Sequence, residues 1–336
     1  MFEQLGLIGC GLMGGSFALA LKRAGLVRRV VGYSKSPLTL ARARALGVID
    51  VEAPSALLAV SGADLVLIAV PVAACADTFK AIRHLLAPQA LLLDVGSTKA
   101  DVVAAARQHL GAHLPQFVPA HPIAGKESAG IEHADADLYR GCQVILTPLP
   151  ETDPAQTVRA QRLWGALGAQ VRQMAPQAHD AAYAAVSHLP HLLAFAALNA
   201  LLAQPQGPQW LGLAGPGFRD FSRIAASDPT IWGDILLANR TEVLEQSRQF
   251  RAALDALEDA MQRRDATTLQ ALIGHASRGR SQHVPQGPAG AAGGMAGGMA
   301  VVGAAPNAHA APAAAAPASG GAARPIGTPE APLCLE

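Results

Sequence analysis

The sequence is short of cysteine. Its 336 residues hold four, Cys10, Cys75, Cys142 and Cys334, widely spaced and with no C-x-x-C pair. That excludes a zinc knuckle and a disulfide framework and makes a reduced, cytoplasmic protein the expectation. An excess of charge of one sign is missing too. Twenty-six Lys and Arg against 25 Asp and Glu leave a formal net charge of +1, with no long run of either sign. A nucleic-acid or membrane-surface partner would require a concentrated basic face, so neither is expected. Glycine, proline or charge interrupts the longer apolar stretches before ~18 residues, so no membrane span is expected. The opening MFEQLGLIGCGLMGG turns glycine-rich at once and lacks the basic start and long apolar stretch of a secretory signal. Small molecules are left as the expected partners.

What the chain does have falls into three regions. From residue 5 to about 174, short apolar runs (LGLI, VVGY, LVLIAV, ALLLDV, QFVPA, CQVILTP) alternate with amphipathic stretches such as SFALALKRAG and PLTLARARALG. Runs this short and this apolar suit strands buried on both faces, and the alternation predicts an α/β domain over 1–174 with a Rossmann-type parallel sheet. From 175 to 279 the strand signal gives way to helical spacing, which predicts an all-helical second domain interrupted by a loop at AGPGFRDFSRIAAS. Residues 280–336 are rich in Ala, Gly and Pro, with the near-repeat AGGMAGGMA. With so few large apolar residues to offset the entropy of ordering, they are expected to form a disordered tail.

GCGLMG at 9–14 fits G-x-G-x-x-G, and it lies between a strand and a helix. That context makes it a phosphate cradle: Gly9 for the tight turn, Gly11 for close approach of a pyrophosphate, Gly14 for helix-on-sheet packing. Leu12 and Met13 open the helix whose N-terminus faces the anion. Val70 and Pro71, after the LVLIA run, are placed on the same cofactor. The strand VVGY should end at the adenosine ribose, where a carboxylate selects NAD. Here Ser34, Lys35 and Ser36 follow it. Two hydroxyls and a cation predict that NADP is accepted as well as NAD. A solvated turn lysine, with selectivity set elsewhere, is the alternative.

Further on come DVGSTK (94–99), HPIAGKESAG (121–130), SHLPH (187–191) and GFRDFSRIAASDPTIW (217–232). In this order they resemble the prephenate dehydrogenase family, which includes arogenate and cyclohexadienyl dehydrogenases, over residues 5–279. The resemblance implies oxidative decarboxylation of prephenate, or of arogenate, in tyrosine biosynthesis. It also implies a homodimer formed through the helical domain. Feedback by tyrosine is compatible with it.

His121 ends a strand in the crevice where α/β sheets bind ligands, and a neutral imidazole there can take a hydroxyl proton. The family's catalytic histidine occupies this motif. Ser97 follows another strand; by resemblance it bonds near the nicotinamide and the reacting hydroxyl, though a serine after glycine also suits a turn. Lys99, two residues on, is a weaker candidate for a role there, with a plain surface lysine as the alternative. Two carboxylates on the substrate call for arginine. Arg223, the second basic position of GFRDFSRIA, is implied to grip one of them in a partly buried place, with Arg219 as helper or as a partner for Asp220 or Asp228.

By resemblance His191 lines the substrate pocket and His188 lies near it. Asp180 either helps to bind or serves as an ordinary acid at a helix start. Trp232 supplies apolar wall, or plain packing. No metal is expected, since the histidine pair has no third ligand and the reaction has no use for one. The glycine motif also suits the β-hydroxyacid dehydrogenases, but Asn199 is followed by ALLAQ without their lysine. A non-catalytic nucleotide sensor is the remaining alternative.

Overall fold

A computed structural model describes residues 1–126 and 128–283. The first strands and helices alternate: β1 (Phe2–Ile8), α1 (Leu12–Arg23), β2 (Val27–Tyr33), α2 (Pro37–Ala45), β3 (Val51–Glu52), α3 (Ala56–Ala59), β4 (Leu65–Ile68), α4 (Cys75–Ile82), β5 (Leu91–Asp94), α5 (Ala100–His109) and β6 (Phe117–Val118). The six strands form one parallel sheet in the order β3-β2-β1-β4-β5-β6. Strand order reverses between β1 and β4, so their C-terminal ends diverge into a crevice.

Period-two alternation explains why the strands read as unbroken apolar runs. Leu5 and Leu7, Leu65 and Leu67, and Leu91 and Leu93 point into one core with Phe17 and Trp164. Ile8, Val66, Ile68 and Leu92 point into the other with Phe79 and Phe117. Both faces are covered, as a parallel sheet requires.

The expectation of a single parallel sheet needs correcting. A second sheet contains β7 (Ala120–Pro122), β8 (Gln143–Leu146) and β9 (Gln170–Gln173), with α6 (Pro154–Ala166) before β9. β7 runs antiparallel to β8, and β8 parallel to β9. The QFVPA run therefore divides at Pro119, which has no N–H for a ladder. Its first half joins the large sheet and its second half carries His121 onto the small one.

The helical region comprises α7 (Pro176–Tyr183), α8 (Leu189–Leu202), α9 (Gly207–Leu211), α10 (Pro216–Ser222), α11 (Pro229–Ala238), α12 (Arg240–Gln262) and α13 (Ala266–His283). A π turn, Ala184–His188, joins α7 to α8. Its wider winding lets the helical path continue past Pro190, which would otherwise clash with the carbonyl four residues back. The result is one helical stretch over Pro176–Leu202, 27 residues with hydropathy 1.5, long and apolar enough by composition to cross a membrane. This corrects the expectation that proline and charge would break every such stretch. Only 17% of its apolar window is buried within the chain.

Two boundaries also differ. The expected loop at 214–227 is helical: Pro216 sits in the first turn of α10, where its missing N–H costs nothing, and a 3₁₀ turn Arg223–Ala226 follows. Residues 280–283 complete α13. From 284 onward the expected tail lies outside the described residues.

Candidate active site

The glycine loop has the shape a dinucleotide requires. Gly9 is left-handed (φ 97°), and a Cβ there would lie 2.1 Å from the Ala69 carbonyl oxygen. A Cβ on Gly14 would lie 2.1 Å from the Gly9 carbonyl oxygen, so only glycine lets α1 start this close to β1. Gly11, the N-cap of α1, has nothing within 4 Å of where a Cβ would be, which leaves space above the helix N-terminus. Leu12 and Met13 form the first turn, pinned by the Tyr139 hydroxyl donating to the Met13 carbonyl at 2.7 Å. Val70 lies against the same turn, 3.3 Å by its nitrogen from a Gly9 Cβ, and Pro71 is exposed beside it. At the end of β2, the Ser34 hydroxyl accepts from Ser36 N–H (3.3 Å), Lys35 is exposed, and Ser36 caps α2 by accepting from Thr39 N–H. These residues fit a nicotinamide dinucleotide, and no acid in the β2–α2 turn opposes a 2′-phosphate.

Across the crevice, β7 holds His121 against α7. His121 Nδ1 lies 2.8 Å from His179 Nε2, and His179 Nδ1 lies 2.7 Å from Asp180 Oδ1. Asp180 also accepts from two backbone donors, Lys99 N–H at 2.9 Å and Ala100 N–H at 2.8 Å. Those N–H groups begin α5, so Asp180 caps the start of a neighbouring helix rather than its own. Asp180 is thus a buried anchor between the layers. Burial alone would raise its carboxyl, but His179 and the two backbone donors outweigh that and hold it below the usual carboxylate range. Tyr183 closes the cluster, its ring centroid 4.9 Å from His121 and 4.5 Å from His179.

Beneath His121 lies an ion pair. Lys99, for which a surface position was the alternative reading, is fully buried. Its ammonium donates to the Asp94 carboxylate and, at 2.8 Å, to the Ala120 carbonyl. Asp94 accepts in addition from Ala120 N–H and Gly96 N–H, both at 2.9 Å. The pair therefore ties the end of β5 to the residue before His121. Burial, then the His179 ring, the Lys99 ammonium and His188, push His121 well below the ordinary imidazole range. His121 is thus neutral at pH 7, although it is only partly covered in the surface of the chain. Ser97 sits half-buried in the β5–α5 loop, directly before the Thr98–Lys99 step.

The helical side is more open. His191 stacks on Trp232 with ring centroids 3.4 Å apart and planes 17° from parallel, and its Nδ1 bonds the Ser187 carbonyl at 2.9 Å. Nδ1 therefore carries the proton and Nε2 a lone pair. Burial lowers His191, and the nearby Arg223 charge lowers it further. His188 differs from expectation. It is 1% exposed and accepts at Nδ1 from Asn239 (3.0 Å), whose amide also donates to the Asp180 carbonyl (2.8 Å). It braces the π turn from inside rather than offering itself to a ligand, and burial pushes it down to about 4. Arg223 and Arg219 are both exposed in the single chain, not partly buried. The cause is that α10 and its 3₁₀ extension lie on the outer surface, with Phe221 46% exposed. Among the described residues, no cluster of three His, Cys, Asp or Glu side chains could hold a metal.

The comparisons with known proteins agree with this geometry. Residues 17–173 match the family model "Prephenate dehydrogenase, nucleotide-binding domain", and 175–275 match "Prephenate dehydrogenase, dimerization domain". Prephenate dehydrogenase of Bacillus subtilis is 34% identical over 271 residues, covering 80% of this chain and 73% of that one. The chain belongs to the prephenate dehydrogenase family. It is an oxidoreductase with that family's two-domain plan of Rossmann-type sheet and helical domain. Cyclohexadienyl dehydrogenase of Zymomonas mobilis is also 34% identical, over 80% of this chain and 92% of its own. A prephenate dehydrogenase from Aquifex aeolicus, crystallised with hydroxyphenyl propionate and NAD+, superposes with a TM-score of 0.78 at 35% identity, over 84% of this chain and 98% of that one. Sequence reasoning about this family member missed His179, whose only trace was the HD dipeptide at 179–180. It also missed Asn239 and the buried role of Lys99.

Proposed function

We propose that the protein oxidises prephenate, with concerted loss of CO₂, to 4-hydroxyphenylpyruvate, a step of tyrosine biosynthesis. One observation carries this reading: the family's histidine, neutral and anchored, stands at the ligand crevice of a dinucleotide fold. The nicotinamide, when bound, supplies the hydride acceptor. His121 Nε2 takes the proton of the ring hydroxyl, and the electron pair left on oxygen assists departure of hydride from the carbinol carbon. The ring carboxylate leaves as CO₂, its bonding pair completes the aromatic ring, and the phenol oxygen recovers the proton from His121. Ser97 donates to the reacting oxygen. Arg223 grips a substrate carboxylate, and Arg219 adds positive charge beside it. His191 and Trp232, locked face to face, form the wall that holds the ring.

Three finer readings accompany this. NADP is accepted besides NAD, because Ser34, Lys35 and Ser36 offer donors and a cation to a 2′-phosphate. The working unit is a homodimer joined through the helical domain; the apolar helix Pro176–Leu202 and exposed Val186, Leu213 and Leu237 support it. The protein works in the cytoplasm, where free, buried thiols such as Cys10 and Cys75 stay reduced. A steady-state matrix of prephenate and arogenate against NAD+ and NADP+, followed by absorbance of the reduced nicotinamide, tests activity and selectivity together. Turnover of prephenate with both cofactors is expected; absence of turnover in all four cells removes the assignment. Sedimentation equilibrium is expected to return twice the chain mass, and cell fractionation to place the protein in the soluble fraction.

A further inference from the structure

We propose that His179 is the positioning residue of the reaction: held by Asp180, it fixes the tautomer of His121 so that the Nε2 lone pair, and not an N–H, faces the crevice. This rests on the reading of His121 as the base.

The argument is one of donors and acceptors. The Asp180 carboxylate already accepts from Lys99 N–H and Ala100 N–H, so it is ionised and has only acceptor capacity. His179 Nδ1, 2.7 Å away, must therefore carry the proton of that bond. His179 is buried with no exposed surface and stays neutral, so its Nε2 is a lone pair. His121 Nδ1 lies 2.8 Å from that lone pair and must donate to it. A neutral imidazole with its proton on Nδ1 has its acceptor at Nε2. In a chain of this kind a proton taken up by His121 creates an imidazolium whose charge is balanced, through His179, by the Asp180 carboxylate. Asp180 stays unprotonated, as a carboxylate two groups removed should.

Nothing else on the elements around His121 can set the tautomer this way. Tyr183 of α7 meets it ring to ring. The Lys99 ammonium is occupied with Asp94 and the Ala120 carbonyl. His188 of the π turn is bonded to Asn239. These groups set the electrostatic background of the His121 titration; only His179 touches its Nδ1 through a hydrogen bond among the described residues.

The test begins without turnover. In full-length protein labelled with ¹⁵N at histidine, His121 is expected to show a protonated Nδ1 and an unprotonated Nε2 above its acid limb. His179→Phe keeps the ring stack but removes the acceptor. It should let both His121 tautomers appear and lower kcat ~10- to 100-fold, with KM within about 2-fold, the scale of a partly misplaced base. The acid limb of the kcat profile should shift as well. His179→Gln, whose side-chain oxygen can accept, should recover most of that loss. A wild-type His121 protonated on Nε2 overturns the proposal, and so does His179→Phe with unchanged kcat and a single tautomer. Full activity of His121→Asn would instead overturn the reading of His121 as base, and the tautomer measurement keeps that failure distinct.

Discussion

The two walls of the crevice are built on opposite plans. Around His121, Asp94 and Lys99 of the sheet domain and His179 and Asp180 of α7 are all buried, and each has charged or hydrogen-bonded partners. On the opposite wall, formed from α8, α10 and α11, Arg219 and Arg223 stand exposed on a short helix and its 3₁₀ extension, near the face-to-face His191–Trp232 stack. The difference follows from the work each wall does. A base must meet a proton within a few tenths of an ångström, so its support is rigid and dry. A dianionic substrate must first enter, so the groups that attract it stay within reach of water. Rigid polar support has its own hazard, because every buried charge left unpaired costs several kcal/mol.

The largest effect is therefore expected on the sheet side and in stability. Lys99→Met removes a fully buried ammonium and leaves Asp94 unpaired apart from its two backbone donors. Chemical denaturation should show a loss of about 3–5 kcal/mol, the cost of breaking a buried pair. A loss below about 1 kcal/mol would mean that water or relaxation reaches Asp94, and the contrast between the walls would weaken. Next comes His121→Asn, which keeps size and polarity but not the base. We expect kcat to fall ~10²-fold or more with KM little changed. A near-normal kcat would transfer the chemistry to another group.

Much of this was legible in the sequence, and the parts that were not share a cause. Gly9, Gly11 and Gly14 are readable because their spacing between a strand and a helix is a local pattern, although the clash that demands Gly9 comes from the Ala69 carbonyl, far along the chain. The strands are readable because burial on both faces leaves unbroken apolar runs. His121 is readable by its place at a strand end. Lys99 was left open because nothing local says that its ammonium turns inward to Asp94, or that the Ala120 carbonyl, 21 residues on, takes a second bond. His179 was missed because its meaning depends on His121, 58 residues earlier. Asp180 stayed open between a binding role and an acid of its own helix because a cap supplied to α5 from 80 residues away leaves no local pattern. The loop reading of 214–227 counted both the glycines and Pro216 as loop signals, although a proline equally well starts a helix.

The third expectation concerns the π turn that joins α7 to α8. His188 is neutral when folded, with its imidazole pushed down to about 4 against an ordinary 6.5. The unfolded chain then binds a proton that the folded chain refuses, so this contribution to stability is complete above pH 6.5 and is lost as pH falls toward 4. Between pH 7 and 5 the loss should be about 2 kcal/mol. His188→Gln, which keeps an acceptor for Asn239, should reduce the pH dependence of Tm over that window, leaving the part carried by His121, whose imidazole burial also lowers. A slope unchanged by the substitution would remove His188 from it. On the helical wall, Arg223→Ala should raise KM for prephenate about 10-fold and change kcat less, since a charge-assisted bond to a remote carboxylate binds ground and transition states alike. An equal fall in kcat at constant KM would place Arg223 in the chemical step and erase the proposed division of labour.

The smallest effect is expected where the protein is least enclosed. Lys35 is exposed at the β2–α2 turn, flanked by serines already engaged in the turn and the helix cap. An ammonium in water attracts a 2′-phosphate only weakly, because solvent and salt screen it. Lys35→Ala should therefore lower kcat/KM for NADP+ by only about 3- to 5-fold and leave that for NAD+ unchanged, the scale of an exposed ion pair. Lys35→Asp should go further, since a carboxylate repels the phosphate and accepts from the ribose hydroxyl. Raising the ionic strength should narrow the wild-type preference in the same direction, whereas it should leave the buried sheet wall, and with it the acid limb set by His121, nearly where it was. A cofactor ratio insensitive to both substitution and salt would place cofactor selection in residues other than Ser34, Lys35 and Ser36.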